Sequence, residues 1–217
     1  MDKKNYPPPW TLDGEGILIP FIANKKEILN SNFLTNHDKE SYQGGLGAIM
    51  FVNYHTSNVG PYFELLFIPG DFKYKNKKYK RITKIFVSSE ISIREGIKNW
   101  AIPKEFANFE WSRLQNKINI QVKNSTRFLS LEIEELLFPF PITTSLYPVK
   151  LLQKAKEEYL ITEFSGKGKA KISTINKFES NNNDFPDLNN VSKFKICLSA
   201  FQFQIHFPIP ERVAYES

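Results

Sequence analysis

Cysteine is almost absent from this sequence, in which Cys197 is the one thiol among 217 residues. A single thiol excludes an internal disulfide, and this fits a reducing compartment. A lone cysteine beside apolar residues is more often a small core side chain than a nucleophile. We therefore expect Cys197 to be buried in the core.

Histidine is scarce as well. His37, His55 and His206 are scattered along the chain, and none stands at metal-ligand spacing from another histidine, a cysteine or a cluster of carboxylates. The glycine-rich run 44–47 precedes a strand-like segment, so it lacks the helix N-terminus that holds a phosphate. The sequence thus predicts no metal and no cofactor.

Long apolar runs are also missing. No segment reaches the length needed to span a membrane, and residues 1–9 lack the apolar stretch of a signal peptide. A location in the cytoplasm is the simplest interpretation, and we predict no membrane partner.

The formal net charge of +6 comes largely from one segment. Its basic residues are Lys73, Lys75, Lys77, Lys78, Lys80 and Arg81. No aromatic platform, helix-turn-helix or zinc spacing accompanies them. We interpret the segment as a solvated charged loop and predict no nucleic-acid partner.

Alternation of apolar and polar residues is what the sequence has in abundance. Residues 118–122 and 129–133 alternate with a period of two, as half-buried strands do. Helical signal is confined to the short stretches Ser92–Asn99 and Val149–Glu158. This pattern favours a mainly β (α+β) fold with an antiparallel barrel or sandwich-like sheet and a few short helices. Without a shift in composition, one domain over residues 1–217 is predicted.

The last long strand carries a change of phase. Its apolar residues hold one phase from Phe194 to Ala200 and the opposite phase from Phe201 to Phe207. Such a slip predicts a bulge or a bend, which is common where sheets close into barrels.

One lysine stands in an unusual setting. Lys104 follows Pro103 directly, and Trp100, Ile102 and Phe106 are close in sequence. Apolar neighbours that exclude water penalise the ammonium form, lower the pKa of the lysine and leave free amine to attack a carbonyl. Lys104 is therefore a candidate Schiff-base nucleophile. The alternative is a surface lysine whose stem covers Trp100 while its amine reaches water.

Two short motifs in a fixed order resemble a known family. Residues 60–64 read Gly-Pro-Tyr-Phe-Glu, and about forty residues further on the segment 96–104 begins with glycine and ends in Pro-Lys. This ordered pair resembles the core of the acetoacetate decarboxylase family. The resemblance is strongest from Thr56 to Lys104 and is compatible with most of the chain.

That resemblance implies a barrel-like sheet around an apolar cavity. In it Lys104 is the nucleophile that forms an imine with a β-keto acid, and Glu64 is the pocket carboxylate that positions substrate or moves a proton. Members of the family commonly associate, so a homo-oligomer is expected. The further candidates for the substrate pocket are Tyr62, Trp100, Pro103 and Glu105.

The sequence departs from the family pattern at three points. Glu105 stands where the decarboxylase has a second lysine, Ile49 stands at the position of a further pocket glutamate, and the stretch 14–17 lacks an expected arginine. Arg81 is the first arginine of the chain. As the next residue in an extended segment, Glu105 is expected to project away from the side that Lys104 faces.

Two classes of function remain open. The first is a lysine-dependent lyase that acts on a β-keto acid or a related oxo acid, by decarboxylation or by related imine chemistry. The second is a non-catalytic barrel of the same fold that binds a small oxo acid or a similar apolar ligand. A lipocalin-like carrier is a weaker third interpretation, because disulfide cysteines and a signal peptide are missing.

Overall fold

The computed structural model of the chain describes residues 4–125, 127–136, 138–146, 148–180 and 196–214. Strands dominate these residues, as the mainly β prediction requires. The strands in chain order are β1 (Trp10–Ala23), β2 (Tyr42–Thr56), β3 (Tyr62–Ile68), β4 (Asp71–Tyr74), β5 (Lys77–Lys80), β6 (Lys84–Val87), β7 (Lys104–Phe106), β8 (Asn108–Leu114), β9 (Lys117–Asn124), β10 (Arg127–Glu135), β11 (Phe140–Thr143), β12 (Val149–Lys154), β13 (Glu158–Ser180), β14 (Ile196–Phe207) and β15 (Glu211–Ala214).

Helices are short. The described residues contain α1 (Lys25–Asn30), α2 (Asn36–Ser41), α3 (Glu90–Trp100) and a 3₁₀ turn at Thr144–Leu146. No helix in this described part of the chain is long and apolar enough to cross a membrane.

Seven strands form a closed ring of hydrogen-bonded neighbours. Around the ring the order is β1, β2, β4, β5, β12, β13 and β14, and β14 pairs with β1 again. The sheet continues from β2 through β3, β6 and β7, and from β13 through β10, β9 and β8. Neighbours run antiparallel except for β5 with β12 and β6 with β7. The predicted barrel-like sheet is confirmed, with two parallel pairs that the alternation did not indicate.

The sheet formed by β1, β2 and β3 is apolar on both faces. On one face Ile19 and Phe51 belong to the main core, which also contains the inward side chains of β9 and β10. On the other face Val52 belongs to a second cluster of buried residues. The predicted alternation of residues 118–122 and 129–133 is confirmed, because their apolar side chains are buried in the main core.

The helix α3 connects the parallel strands β6 and β7. It begins after Ser89, whose side chain accepts a hydrogen bond from the backbone N–H of Ser92, and it ends at Ala101, which has a left-handed φ of 54°. A parallel pair requires such a crossover, because a tight turn can join only antiparallel strands. The helix predicted over Ser92–Asn99 is confirmed within α3.

The second predicted helix, over Val149–Glu158, is wrong. The segment begins with strand β12 (Val149–Lys154) and turns into β13. Leu151 packs in the second cluster, whereas the next residue, Leu152, packs with tyrosines in a third cluster. Adjacent side chains can reach opposite cores only from an extended backbone. This explains why the segment forms a strand and not a helix.

The predicted bulge is present in β14. Residues 14–16 of β1 lie opposite residues 200–203 of β14, so three steps along β14 match two along β1. Gln202 within this interval has a φ of 49°, as expected where an extra residue interrupts a ladder. Phe194, with which the predicted strand begins, lies outside the described residues.

The basic segment 73–81 is only partly the solvated loop that its composition predicted. It belongs to the β4–β5 hairpin and its end, and Lys80 and Arg81 are buried. Arg81 Nη1 lies 2.5 Å from Asp38 Oδ1, and Lys80 Nζ lies 2.7 Å from Asp71 Oδ1. These two cations can be buried because each has a carboxylate partner.

Cys197 lies in β14 and is 1% exposed within the main core. Burial raises the pKa of its thiol to about 12. The thiolate is the nucleophilic form of cysteine, so this side chain is unreactive at neutral pH. It is a core residue, as predicted.

Replacing Glu135 by glutamine is expected to lower the free energy of unfolding by about 2 kcal/mol at neutral pH. The Glu135 side chain is 3% exposed and accepts hydrogen bonds from Arg113 Nη1, Lys171 Nζ and Ser199 Oγ. Burial raises the pKa of Glu135, but these donors outweigh burial and hold the net pKa below its ordinary value. The contribution is therefore present above about pH 4.3 and is lost as the pH falls through the lower folded pKa. Urea unfolding at neutral and at acid pH measures it.

An exposed carboxylate provides the control for this prediction. Glu179 Oε2 lies 3.1 Å from Lys177 Nζ, and both side chains are about half exposed. Exposed pairs contribute little, so Glu179→Gln is expected to change stability by less than about 0.5 kcal/mol. Equal losses of unfolding free energy in the two variants would show that the buried position of Glu135 does not increase its contribution to stability.

Candidate active site

Lys104 is the first residue of β7, and its amine is enclosed. Its side chain is 5% exposed, and Nζ lies 2.9 Å from Glu64 Oε2 and 3.0 Å from Ser92 Oγ. The pairing of β3 with β6 sets Glu64 beside Val87, and the pairing of β6 with β7 sets Ile85 beside Lys104. The sheet thereby brings together two side chains that are 40 residues apart in the chain.

The helix α3 supplies a further wall of the site. Ser92, Gly96 and Trp100 follow one another at intervals of four residues, so they lie on one face of the helix. All three are buried. A Cβ atom at Gly96 would lie 2.8 Å from both Cδ and Cε of Lys104. The glycine therefore provides the space in which the lysine stem passes along the helix.

Aromatic side chains close the site. The hydroxyl of Tyr54 donates to Glu64 Oε1 at 3.4 Å, so each carboxylate oxygen has a donor. The centroid of the Tyr62 ring lies 5.2 Å from Lys104 Nζ, within cation–π distance. Trp100 is 2% exposed, and its indole N–H donates to a backbone carbonyl at 2.9 Å.

Burial and a counter-charge act in opposite directions on Lys104. Burial lowers the pKa of the amine, whereas the Glu64 carboxylate and, after it, Tyr62 raise it, and the net pKa lies above the ordinary value. The expectation of a lowered pKa is therefore wrong, because a carboxylate 2.9 Å away stabilises the ammonium form. Burial also raises the pKa of Tyr62 to about 12, so its hydroxyl remains protonated at neutral pH.

A cavity of about 60 Å³ adjoins the amine. Lys104 and Glu64 are the charged side chains of its lining in the described part of the chain. The apolar walls include Met50, Leu66, Ile85, Ile102 and Phe164. Charges in such surroundings interact more strongly than they do in water, which favours a tight pair and makes an unpaired charge costly.

Pro103 and Glu105 do not reach this cavity. They flank Lys104 in an extended segment, where successive side chains point to opposite faces. Both are exposed, and neither contributes to the lining. The predicted pocket is corrected to leave them out. The lining does contain the other predicted site residues, Lys104, Glu64, Tyr62 and Trp100.

Two polar residues of the site were not predicted. Ser92 could have been found from the four-residue spacing that it shares with Gly96 and Trp100 on a predicted helix. Tyr54 could not, because its position beside Tyr62 depends on the register between β2 and β3. That register is not visible in the sequence of either strand.

The family's further pocket groups have no counterpart here. Within the described residues the cavity lining contains no arginine, and Arg81 is instead paired with Asp38. Ile49 is fully buried in the main core. A ligand in this cavity therefore meets one cation, Lys104, and one carboxylate.

The sequence matches one family model. This is the family described as acetoacetate decarboxylase (ADC), and the match covers residues 5–137. A search among curated proteins finds no match.

Solved structures resemble the fold over nearly the whole chain. An acetoacetate decarboxylase from Legionella pneumophila is 14% identical with a TM-score of 0.67, over 99% of this chain and 92% of that one. The enduracididine biosynthesis enzyme MppR, complexed with pyruvate, is 12% identical with a TM-score of 0.67, over 98% and 92%. An acetoacetate decarboxylase-like enzyme from Sphingomonas wittichii RW1 is 10% identical with a TM-score of 0.67, over 99% and 95%. Likeness at these identities concerns the fold.

Proposed function

The chain belongs to the acetoacetate decarboxylase family, and we propose that it is a lyase. Its catalysis proceeds through a Schiff base between Lys104 and a β-keto acid or a related oxo acid. One observation carries the proposal. The amine of Lys104 is held in an apolar cavity at 2.9 Å from the carboxylate of Glu64. A nucleophile within hydrogen-bond reach of a proton acceptor is the arrangement that covalent catalysis requires.

The first step needs the neutral amine. Transfer of one proton from the Lys104 ammonium to Glu64 leaves an amine beside a carboxylic acid, and the raised pKa of Lys104 makes this local transfer necessary at neutral pH. The amine attacks the keto carbon of the substrate to form a C–N bond. Glu64 returns its proton to the oxygen, and the loss of water gives an iminium ion.

The second step breaks a carbon–carbon bond. The iminium accepts the electron pair of the bond between the α-carbon and the carboxylate, and carbon dioxide leaves. Glu64, a carboxylate again after the first step, takes a proton from solvent water and passes it to the α-carbon of the enamine that remains. Water then hydrolyses the imine, which releases a ketone and restores Lys104. The apolar lining favours the loss of carbon dioxide because it removes a carboxylate charge that is poorly solvated there.

Substrate recognition differs from what the family resemblance implies. Without an arginine in the cavity lining of the described residues, the substrate carboxylate has Lys104 as its nearest cation. The iminium charge on the same nitrogen then holds the anion until it leaves. A 2-oxo acid is a second chemical class to test, since one protein of this fold is complexed with pyruvate.

A second candidate function is reversible binding without catalysis. It is favoured by the ion pair with Glu64, which raises the pKa of Lys104 and so stabilises the ammonium form. In that case the cavity takes up an oxo acid or a similar apolar ligand as a salt with Lys104 and forms no covalent bond.

Borohydride trapping separates the two functions. The protein is incubated with β-keto acids and 2-oxo acids and reduced, and the modified peptide is identified by mass spectrometry. We expect a reduced adduct on Lys104, with release of carbon dioxide from at least one β-keto acid. Saturable binding without any adduct would favour the binding function.

Gly96→Ala is expected to slow adduct formation on Lys104 about 10- to 100-fold while the protein stays folded. The new methyl group meets the lysine stem at 2.8 Å, so the amine must move away from its partners. The protein is expected to stay folded, because the preference of alanine over glycine in a helix, about 1 kcal/mol, offsets part of the cost of displacing the amine. Trapping rates and thermal unfolding are measured together. The control is Ile97→Ala at the next, exposed helix position, and an unchanged trapping rate for Gly96→Ala would show that the contact has no role.

Three expectations from the sequence stay predictions. These are the single domain over residues 1–217, the homo-oligomer and the location in the cytoplasm. Light scattering at micromolar concentration tests the second of them.

A further inference from the structure

The cavity at Lys104 is too small for a ligand with a long chain. Its volume is about 60 Å³, which is room for about four ordered water molecules. Pockets that enclose whole small-molecule ligands typically measure about 300–1,000 Å³. An oxo acid with a chain of several carbons therefore needs space beyond this cavity when it reaches Lys104.

A larger cavity adjoins the first one. Its volume is about 320 Å³, and we call it the ring cavity because its lining comes mainly from strands of the closed ring, among them β1, β2, β13 and β14. The two cavities share a wall. The side chains that line both are Met50, Ile68, Phe164 and Ile205.

Small side chains leave this space open. Ala48 and Ala200 belong to the lining of the ring cavity, where larger side chains would take up part of its volume. The bulge in β14 contributes as well, because it turns Phe203 to the same side as Ala200. The ring cavity is thus built into the strand register of the barrel.

The ring cavity offers a ligand little charge. Lys80 is part of its lining, but Nζ of this lysine lies 2.7 Å from Asp71 Oδ1 and 2.5 Å from the carbonyl oxygen of Leu46. Lys167 also borders the cavity and is exposed at its edge. The remaining lining is dominated by aliphatic and aromatic groups, so the space suits a hydrocarbon chain.

We propose that the substrate is an oxo acid with an unbranched apolar chain of several carbons, whose keto carbon reaches Lys104 and whose chain occupies the ring cavity. This inference rests on the proposed function, since it takes Lys104 as the group that bonds the keto carbon. It adds the substrate class. The chain lies on the side of the keto carbon away from the carboxylate, so the bond-breaking steps are the same as for a short β-keto acid.

Two β-keto acids of different length provide the first test. The probes are 3-oxobutanoate and 3-oxooctanoate, which differ by four methylene groups, and the readout is the second-order rate constant of trapping on Lys104. Each buried methylene contributes about fourfold in affinity, so the longer acid is expected to react about 250-fold faster at low concentration. Equal rate constants would overturn the inference and leave the proposed function intact.

A substitution within the ring cavity tests the location. Ala200→Phe fills space that the chain occupies and is expected to reduce the preference for 3-oxooctanoate to less than about fivefold. The rate with 3-oxobutanoate should stay within about twofold, because Ala200 does not line the smaller cavity. Ala48→Leu repeats the test from β2, in case the phenylalanine disturbs the fold. The matched control is Ala214→Phe at an exposed position of β15, and a retained preference in both cavity variants would overturn the assignment.

Binding of unreactive acids separates this inference from the proposed function. Octanoate and butanoate cannot form an imine, and calorimetry measures their affinity directly. We expect octanoate to bind about 250-fold more tightly than butanoate, and Ala200→Phe to abolish the difference. This result supports the ring cavity as the chain site even if no oxo acid is trapped, in which case the lyase proposal fails alone. Equal affinities of the two acids would overturn the inference.

Discussion

Lys104→Met is expected to abolish borohydride-dependent labelling with every oxo acid and to reduce turnover at least about 10,000-fold, as is typical when a covalent nucleophile is removed. Methionine fills the space of the lysine stem but has no nitrogen to bond a keto carbon. Lys104→Arg extends the test, because it keeps a cation beside Glu64 and still removes the nucleophile. Labelling and mass mapping give the first readout, and release of carbon dioxide gives the second.

An exposed lysine provides the control for these variants. Lys98 belongs to the same helix-to-strand segment and is exposed, with Nζ 2.7 Å from Asn5 Oδ1. Lys98→Met should leave both labelling and turnover unchanged. Labelling that persists in Lys104→Met would show that another amine forms the imine, and the proposed nucleophile would then be incorrect.

Loss of Lys104 is also expected to affect stability. In Lys104→Met the Glu64 carboxylate is buried without its charge partner, which costs about 3 kcal/mol when a buried pair is broken. Adding Glu64→Gln removes the uncompensated charge and should recover part of that loss. Urea unfolding of the two variants therefore establishes whether a Lys104→Met protein that shows neither labelling nor turnover is folded and lacks only the amine.

Glu64→Gln is expected to reduce turnover about a thousandfold, because the amide cannot accept the proton of Lys104 or return it to the substrate. Its size is close to that of the carboxylate, so the cavity is preserved. Glu105→Gln is the matched control. Glu105 is the exposed neighbour of Lys104, and its loss should change turnover less than about twofold. Equal effects of the two substitutions would contradict a particular role for Glu64.

The same variant gives a pH signature that mere damage to the fold would not produce. In the native protein burial lowers the pKa of Lys104, and Glu64 together with Tyr62 raises it by more. Once the carboxylate is gone, burial meets less opposition, and the pKa of the amine moves downward. Neutral amine is then present at lower pH. Half-maximal labelling of Glu64→Gln should therefore occur at a lower pH than in the native protein, although turnover is slow.

The sequence was sufficient to select Glu64 and Lys104 as site residues, but not to predict the direction in which the pKa of Lys104 is shifted. Glu64 and Lys104 could be selected because two ordered motifs carry them, and the β6–α3–β7 crossover turns that order into proximity. The direction of the pKa shift could not be obtained in this way. Burial and the carboxylate oppose each other, and the balance depends on a separation of 2.9 Å that no spacing in the chain reveals.

The fold was predictable where one face of a strand is polar. Residues 118–122 and 129–133 alternate because they cover the main core from one side. Residues 149–154 do not alternate, because Leu151 and Leu152 enter two different clusters. A short strand that is buried on both faces has the composition of a helix segment. For that reason the sequence did not predict that β12 pairs with β5 and closes the ring.

The bulge in β14 makes the length of this strand matter more than its chemistry. Residues 200–203 of β14 advance three steps while β1 advances two. Even-numbered residues of β14 therefore face the interior before the bulge, and odd-numbered residues face the same interior after it. Deletion of Gln202 would remove the extra step and leave a regular ladder, in which Phe203 and Ile205 keep the side of Ala200 and still line the ring cavity. One residue inserted in this interval beside the existing bulge would instead exchange the inward and outward side chains of the whole second half. Among descendants of this sequence, substitution or loss of Gln202 should therefore be tolerated, while single insertions beside it are eliminated.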